Sequence, residues 1–281
     1  MKLGLVLEGG GMKCAYTAAI LDRMMDDQVK PDYVIGVSAG CACGASFLAG
    51  QRDRNRRFFV DHVQDPEYLG LQAWKSSGSV FNLRRIYQDY TAEGGIDPLD
   101  YDAMVKNPAE WWAVATDVET GKPHYFTKED IRRDEMAPIK ASSCVPAANQ
   151  PYPVNGHRYY DGGMSDPIPL EKCFRDGCDK VVLLLTRPKD FERSPDKDKL
   201  ASALIKHRYP AAAEAMSKRA IKYNTELWLA KQYEKQGKVL IVAPDDIGGM
   251  STLTKDPETI ESLYHKGYHD AEAIREFVNG E

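Results

Sequence analysis

Ser38 lies in Gly36-Val37-Ser38-Ala39-Gly40, a G-x-S-x-G placed between an apolar run, Tyr33 to Val37, and a small-residue stretch, Ala39 to Ala49, that reads as a helix. A strand turning sharply into a helix through a serine is the setting of a nucleophile elbow. Glycine at both flanks removes the side chains that such a turn would crowd, and the hydroxyl is left above the sheet beside a helix N-terminus. A plain small-residue turn with an exposed serine gives the same pentapeptide, but the flanking strand and helix favour the elbow.

Gly9-Gly10-Gly11 stands in the same position one unit earlier, after the apolar run Leu3 to Leu7 and before a helical pattern. Turns that follow successive parallel strands lie along one carboxyl edge of the sheet. The backbone N–H groups of Gly9, Gly10 and Gly11, with Met12 as a further donor, can therefore face an oxygen beside Ser38 and act as an oxyanion hole. A dinucleotide fingerprint in the Gly9 register would need glycine where Cys14 stands, and the P-loop spacing is absent.

A serine hydroxyl needs a base. His207, His265 and His269 lie in helical, mixed-charge segments and His157 in a hairpin, where solvated or structural roles are expected. Asp161 ends the run "RYYD" and is followed by Gly162-Gly163. A carboxylate kept basic by burial and neighbours could take the serine proton directly. An ordinary D-G-G turn is the competing reading.

The elements needed to position these groups are legible as patterns. Strand, helix, strand, helix over the first 50 residues indicates βαβ units and a parallel sheet. Glu119 to Lys122 joins two strands, Asn155-Gly156 signals a hairpin, and "PIKASSCVPAA" reads as a helix with a proline break. Residues 187–199 are charged and read as an exposed loop, 200–236 as helical, "KVLIVAP" as a last strand and 257–278 as one or two closing helices. The segment 51–107 reads as a helical insertion mixing aromatics with Arg52, Arg54, Arg56, Arg57, Arg84 and Arg85. Those arginines are expected either to rim an acyl groove for anionic head groups or to form a solvated basic face.

The chain has 281 residues, 43% apolar and 28% charged, with a formal net charge of -5. That balance offers no electrostatic footprint for nucleic acid. Six scattered cysteines read as reduced thiols, the spacing of Cys41 and Cys43 fits no common zinc pattern, and nothing resembles a signal peptide or a membrane span. A cytoplasmic protein is expected, one domain over 1–281 with a core of about 1–190 and a helical and strand extension of about 200–281.

The three motifs together resemble the patatin-like phospholipase family, which combines an N-terminal G-G-G-x-[RK]-G loop, a G-x-S-x-G elbow and a D-G-[GA] motif. Here these are Gly9-Gly10-Gly11-Met12-Lys13, Gly36 to Gly40, and Asp161-Gly162-Gly163; Cys14 stands where the first motif usually closes with glycine. "ASSCVPAA" resembles the family's segment before the aspartate, and "STLTKDPETIESLYHKGYHDA" resembles bacterial members. The resemblance implies a three-layer α/β/α sandwich with a mostly parallel central sheet. It also implies a Ser38–Asp161 dyad without histidine and supporting roles for Lys13, Gly36, Gly40, Gly162 and Gly163. Hydrolysis of lipid acyl esters without metal or cofactor follows, of phospholipase, lysophospholipase or esterase type. An acyltransferase or thioesterase would use the same dyad; a non-catalytic lipid- or protein-binding module would keep the fold alone. The expected partner is a lipid or acyl ester, reached through transient contact with a membrane surface.

Overall fold

Two short apolar runs set the pattern of the whole sheet. β1 (Leu3–Leu7) leads through a tight turn into α1 (Ala15–Asp26), and β2 (Tyr33–Val37) leads into α2 (Ala39–Leu48). The structure, a computed structural model, describes residues 1–280. The insertion contains α3 (Arg54–Val60), α4 (Leu71–Ser77) and α5 (Tyr101–Lys106), so its helical reading holds. β3 (Glu110–Asp117) and β4 (Pro123–Thr127) follow, their turn held by the Asp117 carboxylate, which accepts from the Glu119 and Thr120 amides at 3.0 and 2.8 Å.

After α6 (Ala137–Ser142) come β5 (Tyr152–Val154) and β6 (His157–Asp161), joined by Asn155 and Gly156 at φ 49° and 82°. Both residues are left-handed, as a two-residue hairpin turn of this hand requires. The expected helix over "PIKASSCVPAA" stops at Ser142, and its remainder is turn. The chain closes with α7 (Leu170–Arg175), β7 (Lys180–Leu184), α8 (Asp196–Ile205), α9 (Pro210–Lys235), β8 (Val239–Val242), α10 (Pro257–Asp270) and α11 (Glu272–Asn279).

β3, β2, β1, β7 and β8 are parallel neighbours in that order, and β4, β6 and β5 add antiparallel pairings. Every residue of β1 and β2 is buried, as in strands covered on both faces. Leu5, Leu7 and Val34 pack with α1, α2 and α10 on one side, while Val6, Ile35 and Val37 pack with α7 and α9 on the other. The expected α/β/α layering is thus the observed one. α9 earns its place by an apolar stripe, Met216, Ala220, Tyr223, Leu227 and Ala230, at three- and four-residue spacing. Among the described residues no helix is long and apolar enough to cross a membrane.

The last helices are docked tightly. Tyr16 and Tyr264 donate hydroxyls to Asp270 and Asp22, both at 2.7 Å. Between them a Cβ on Gly267 would sit 2.4 Å from the Tyr16 carbonyl oxygen. Gly267→Ala must push α10 off α1, and urea unfolding should register a loss of about 1–3 kcal/mol, the usual cost of overpacking.

Candidate active site

β3 has one edge occupied by β4 from Trp112 to Thr116. Its opposite edge is shared. β2 runs along it in parallel as far as Val37 beside Val114, and β6 takes it over antiparallel from Asp161 beside Ala115. Ser38 directly follows Val37, so the register of one strand brings Ser38 and Asp161 together from 123 positions apart in the chain. This juxtaposition is the centre of the site.

Ser38 caps α2 at φ 55° and ψ -131°, outside the regions that non-glycine residues favour. Such strain persists only where surroundings over-determine the backbone. Here its amide donates to Ser142 Oγ at 2.8 Å, and Ser142 Oγ donates to the Val114 carbonyl at 2.6 Å. The flanking glycines are needed for space. A Cβ on Gly36 would lie 2.5 Å from the Cys41 backbone, and one on Gly40 would lie 2.7 Å from the Leu7 carbonyl. The strand-to-helix turn inferred from the sequence is present.

Asp161 is 6% exposed. Its Oδ1 accepts from the Gly163 amide at 2.8 Å, and its backbone carbonyl accepts from Thr116 Oγ1 at 2.8 Å. Burial raises its pKa above the usual carboxylate value; the Arg219 charge, the nearby Ser38 hydroxyl and the Gly163 amide pull against that rise without cancelling it. Gly162 fits because its α-carbon is pressed on β3, where a Cβ would lie 2.1 Å from the Val114 carbonyl oxygen.

The glycine loop abuts the elbow. A Cβ on Gly9 would lie 2.9 Å from the Ser38 Cβ. Thr186, just beyond β7, ties the loop down by donating its amide and hydroxyl to the buried Glu8 carboxylate at 2.6 and 3.0 Å. Its hydroxyl also reaches the Gly9 carbonyl at 3.2 Å. Among the described residues, the Gly10 and Gly11 amides have no acceptor. The Met12 amide instead donates to the Thr252 carbonyl at 3.3 Å, which removes it from the available donors. Cys14 is buried beneath the loop with its thiol toward the Glu8 carbonyl and does not line the cavity.

A cavity of about 610 Å³ opens over these groups and is lined by Gly9, Gly10, Gly11, Met12, Lys13, Ser38 and Asp161. Phe59, Leu69, Phe81 and Tyr87 of the insertion supply an apolar wall. No histidine lines it among the described residues. The arginine rim expected on the insertion does not form. Arg56 pairs with Glu261, Arg57 and Arg54 with Asp97, Arg85 with Asp65 and Arg52 with Asp26, which leaves Arg84, 77% exposed, beside Asp89. Residues 187–194, expected as an exposed loop, instead contribute Arg187, Phe191 and Arg193 to the cavity wall. Among the described residues no group of three or more His, Cys, Asp or Glu side chains is arranged to hold a metal ion.

Ser142, Thr186, Arg219 and Thr252 were not singled out by motif reading. Ser142 lies within "ASSCVPAA" and Thr252 within "STLTKDPETIESLYHKGYHDA"; Thr186 and Arg219 carry no local signal.

A family model described as patatin-like phospholipase matches residues 5–174, and one described as a domain of unknown function (DUF6363) matches 209–278. The uncharacterized protein YjjU of Escherichia coli is 26% identical over 199 residues, covering 69% of this chain and 54% of its own length. The uncharacterized NTE family protein Mb1092c of Mycobacterium bovis is 24% identical over 169 residues, 60% of this chain and 44% of its own. The chain thus spans about half the length of the curated relatives it matches. Among solved structures, VipD from Legionella pneumophila superposes with a TM-score of 0.51 at 13% identity, covering 98% of this chain and 67% of VipD, a likeness of fold alone. With the elbow, the glycine loop and the aspartate turn all inside a family match that takes in more than half of the sequence, the chain belongs to the patatin-like phospholipase family, a family of lipid acyl hydrolases.

Proposed function

We propose that the chain hydrolyses acyl esters of lipids, with Ser38 as nucleophile and Asp161 as its base. The observation that carries this reading is the meeting of a strained serine with a desolvated carboxylate on one edge of β3. The Asp161 carboxylate takes the hydroxyl proton as Ser38 Oγ bonds to the ester carbonyl carbon. The Gly10 and Gly11 amides hold the resulting oxyanion, and the N-terminus of α2 adds its positive end. Collapse breaks the bond to the leaving oxygen, which receives the proton from Asp161. Water attacks the acyl-enzyme by the same route, giving its proton to Asp161 and restoring the Ser38 hydroxyl.

The apolar wall from the insertion accommodates the acyl chain. Leu71 and Trp74 are exposed on α4, which is bracketed by the paired Leu69 and Phe81 of that wall, and this supports transient contact with a membrane surface through α4. Residues beyond β8 act with the core as one domain, because Met250, Ser251 and Thr252 close the cavity against the glycine loop.

Ser38→Ala is expected to remain folded and to lose hydrolysis of short- and long-chain esters together with fluorophosphonate labelling; ester turnover near the wild-type rate would end the assignment. Asp161→Asn should be as inactive, yet at least as stable as the parent at neutral pH. The sign follows from linkage. A carboxyl whose folded pKa is raised contributes stability at low pH that is lost as pH rises through that pKa, and the amide has no such loss. The free-enzyme profile of kcat/KM should fall on the acid side with a midpoint above 3.8, the ordinary aspartate value from which Asp161 is raised. A midpoint at or below that value would count against Asp161 as base. Ser142→Ala strands the Ser38 amide and should cost about 1–3 kcal/mol in urea unfolding while slowing fluorophosphonate labelling; an unchanged labelling rate would show that Ser38 holds its conformation without it.

A further inference from the structure

At the edge of the sheet opposite Ser38, α7 ends in a tight closure. Gly177, at φ 92°, donates its amide to the Phe174 carbonyl at 3.0 Å, and the Cys178 amide donates to the Cys173 carbonyl at 3.2 Å. These are the two bonds of a Schellman motif, in which the residue after the left-handed glycine packs against the residue whose carbonyl it takes. Here both of those residues are cysteines. The motif brings them to the reach of a disulfide, which needs α-carbons no more than about 7 Å apart.

The two sulfurs converge on one point of β1. A Cβ on Gly4 would lie 2.3 Å from Cys173 Sγ and 3.1 Å from Cys178 Sγ, so glycine leaves the room that the pair occupies. Cys173 is wholly buried, and Cys178 is 6% exposed between the exposed Gly177 and Asp179. Lys2 stands over the same turn, its ammonium donating to the Asp176 carbonyl at 2.9 Å and to Glu110 at 2.7 Å. Both cysteines are free thiols.

The thiols are not equivalent. The adjoining Cys173 thiol, and after it the Lys2 charge, pull the Cys178 pKa down against its burial, while the Cys178 contact and burial push that of Cys173 up. Burial also raises Cys14, Cys41, Cys43 and Cys144. The thiolate is the reacting form, and cysteines that respond to oxidants combine a lowered pKa and access from solvent with a second thiol beside them. Cys178 lies at the surface turn with Cys173 behind it, so the turn supplies an attacking and a resolving thiol.

We propose that Cys178 and Cys173 form a dithiol site for hydrogen peroxide that closes to a disulfide across the end of α7. The Cys178 thiolate attacks one peroxide oxygen. An S–O bond forms, the O–O bond breaks, and the departing oxygen leaves as water with the proton that Cys178 released. The Cys173 sulfur then attacks the Cys178 sulfur. The S–S bond forms, the S–O bond breaks, and the hydroxyl leaves as a second water with the Cys173 proton. The two thiols lose two electrons and the peroxide gains them. A small dithiol reverses the bond by exchange. The disulfide staples the turn that leads into β7, at the sheet edge away from Ser38, and leaves the catalytic groups in place.

The experiment is peptide mapping of the whole protein, treated with hydrogen peroxide while folded and then unfolded in iodoacetamide. Trypsin cuts after Lys172, Arg175 and Lys180, which puts Cys173 and Cys178 on separate peptides, 173–175 and 176–180. Oxidised wild type should yield these two peptides joined, and dithiothreitol should release them. Cys14, Cys41, Cys43 and Cys144 should be recovered alkylated, as in the untreated protein. Cys173→Ser removes the resolving thiol, so dimedone should capture the Cys178 sulfenic acid; Cys178→Ser should leave Cys173 reduced. Absence of the joined peptides from oxidised wild type overturns the proposal, as does oxidation of Cys178 to the sulfonic acid with Cys173 untouched. Joined peptides drawn indifferently from all six cysteines are the chemistry of an unfolded chain and overturn it too. The wild-type map is decisive by itself, whether or not a variant folds, and it does not depend on ester hydrolysis.

Discussion

Between Val114 and Ala115, one edge of β3 passes from a parallel partner to an antiparallel one. β2 leaves the sheet there and turns into α2, and β6 ends there on Asp161. Neither strand can continue without displacing the other, so the two turns are forced into contact. The Val114 carbonyl, at the junction, accepts the Ser142 hydroxyl and presses on Gly162. The position of the serine, its anchoring from α6 and the need for glycine after the aspartate all trace to that one exchange of partners.

The arrangement is costly as a folded structure. Ser38 is held at a positive φ, the Asp161 carboxyl is buried, and four cations line one cavity. Such departures from local preference collect where function demands them and are carried by stability elsewhere. Here the support comes from β1, β2 and β7, buried on both faces, and from the Thr186–Glu8 contact that ties the glycine loop to the end of β7.

The chain beyond the family match is part of the same wall. β8 extends the parallel sheet, α9 covers one face of it, and α10 covers the helices on the other. The Thr252 carbonyl takes the Met12 amide, so a segment far along the chain shapes the loop nearest the N-terminus.

What was legible in the sequence was what local backbone chemistry demands. Apolar runs announced the parallel strands, Asn155-Gly156 announced a hairpin turn, and the glycines at 9, 11, 36, 40 and 162 marked places where another stretch of backbone approaches too closely for a Cβ. Each of these is a condition on a few consecutive residues, so a few residues suffice to reveal it. The insertion's arginines could not be read that way, because Arg56 meets Glu261 only when α3 lies against α10. Arg187 and Arg193 belong to a segment that looks like a solvated loop until α9 packs beside it. Ser142 reaches Ser38 across 104 positions, and Arg219 shares Gly163 with Asp161. The sequence by itself determined the elements and the three motifs; the tertiary structure alone decided their register, which amides stay free and which charges stay unpaired, because those depend on contacts between residues that local conformation does not relate.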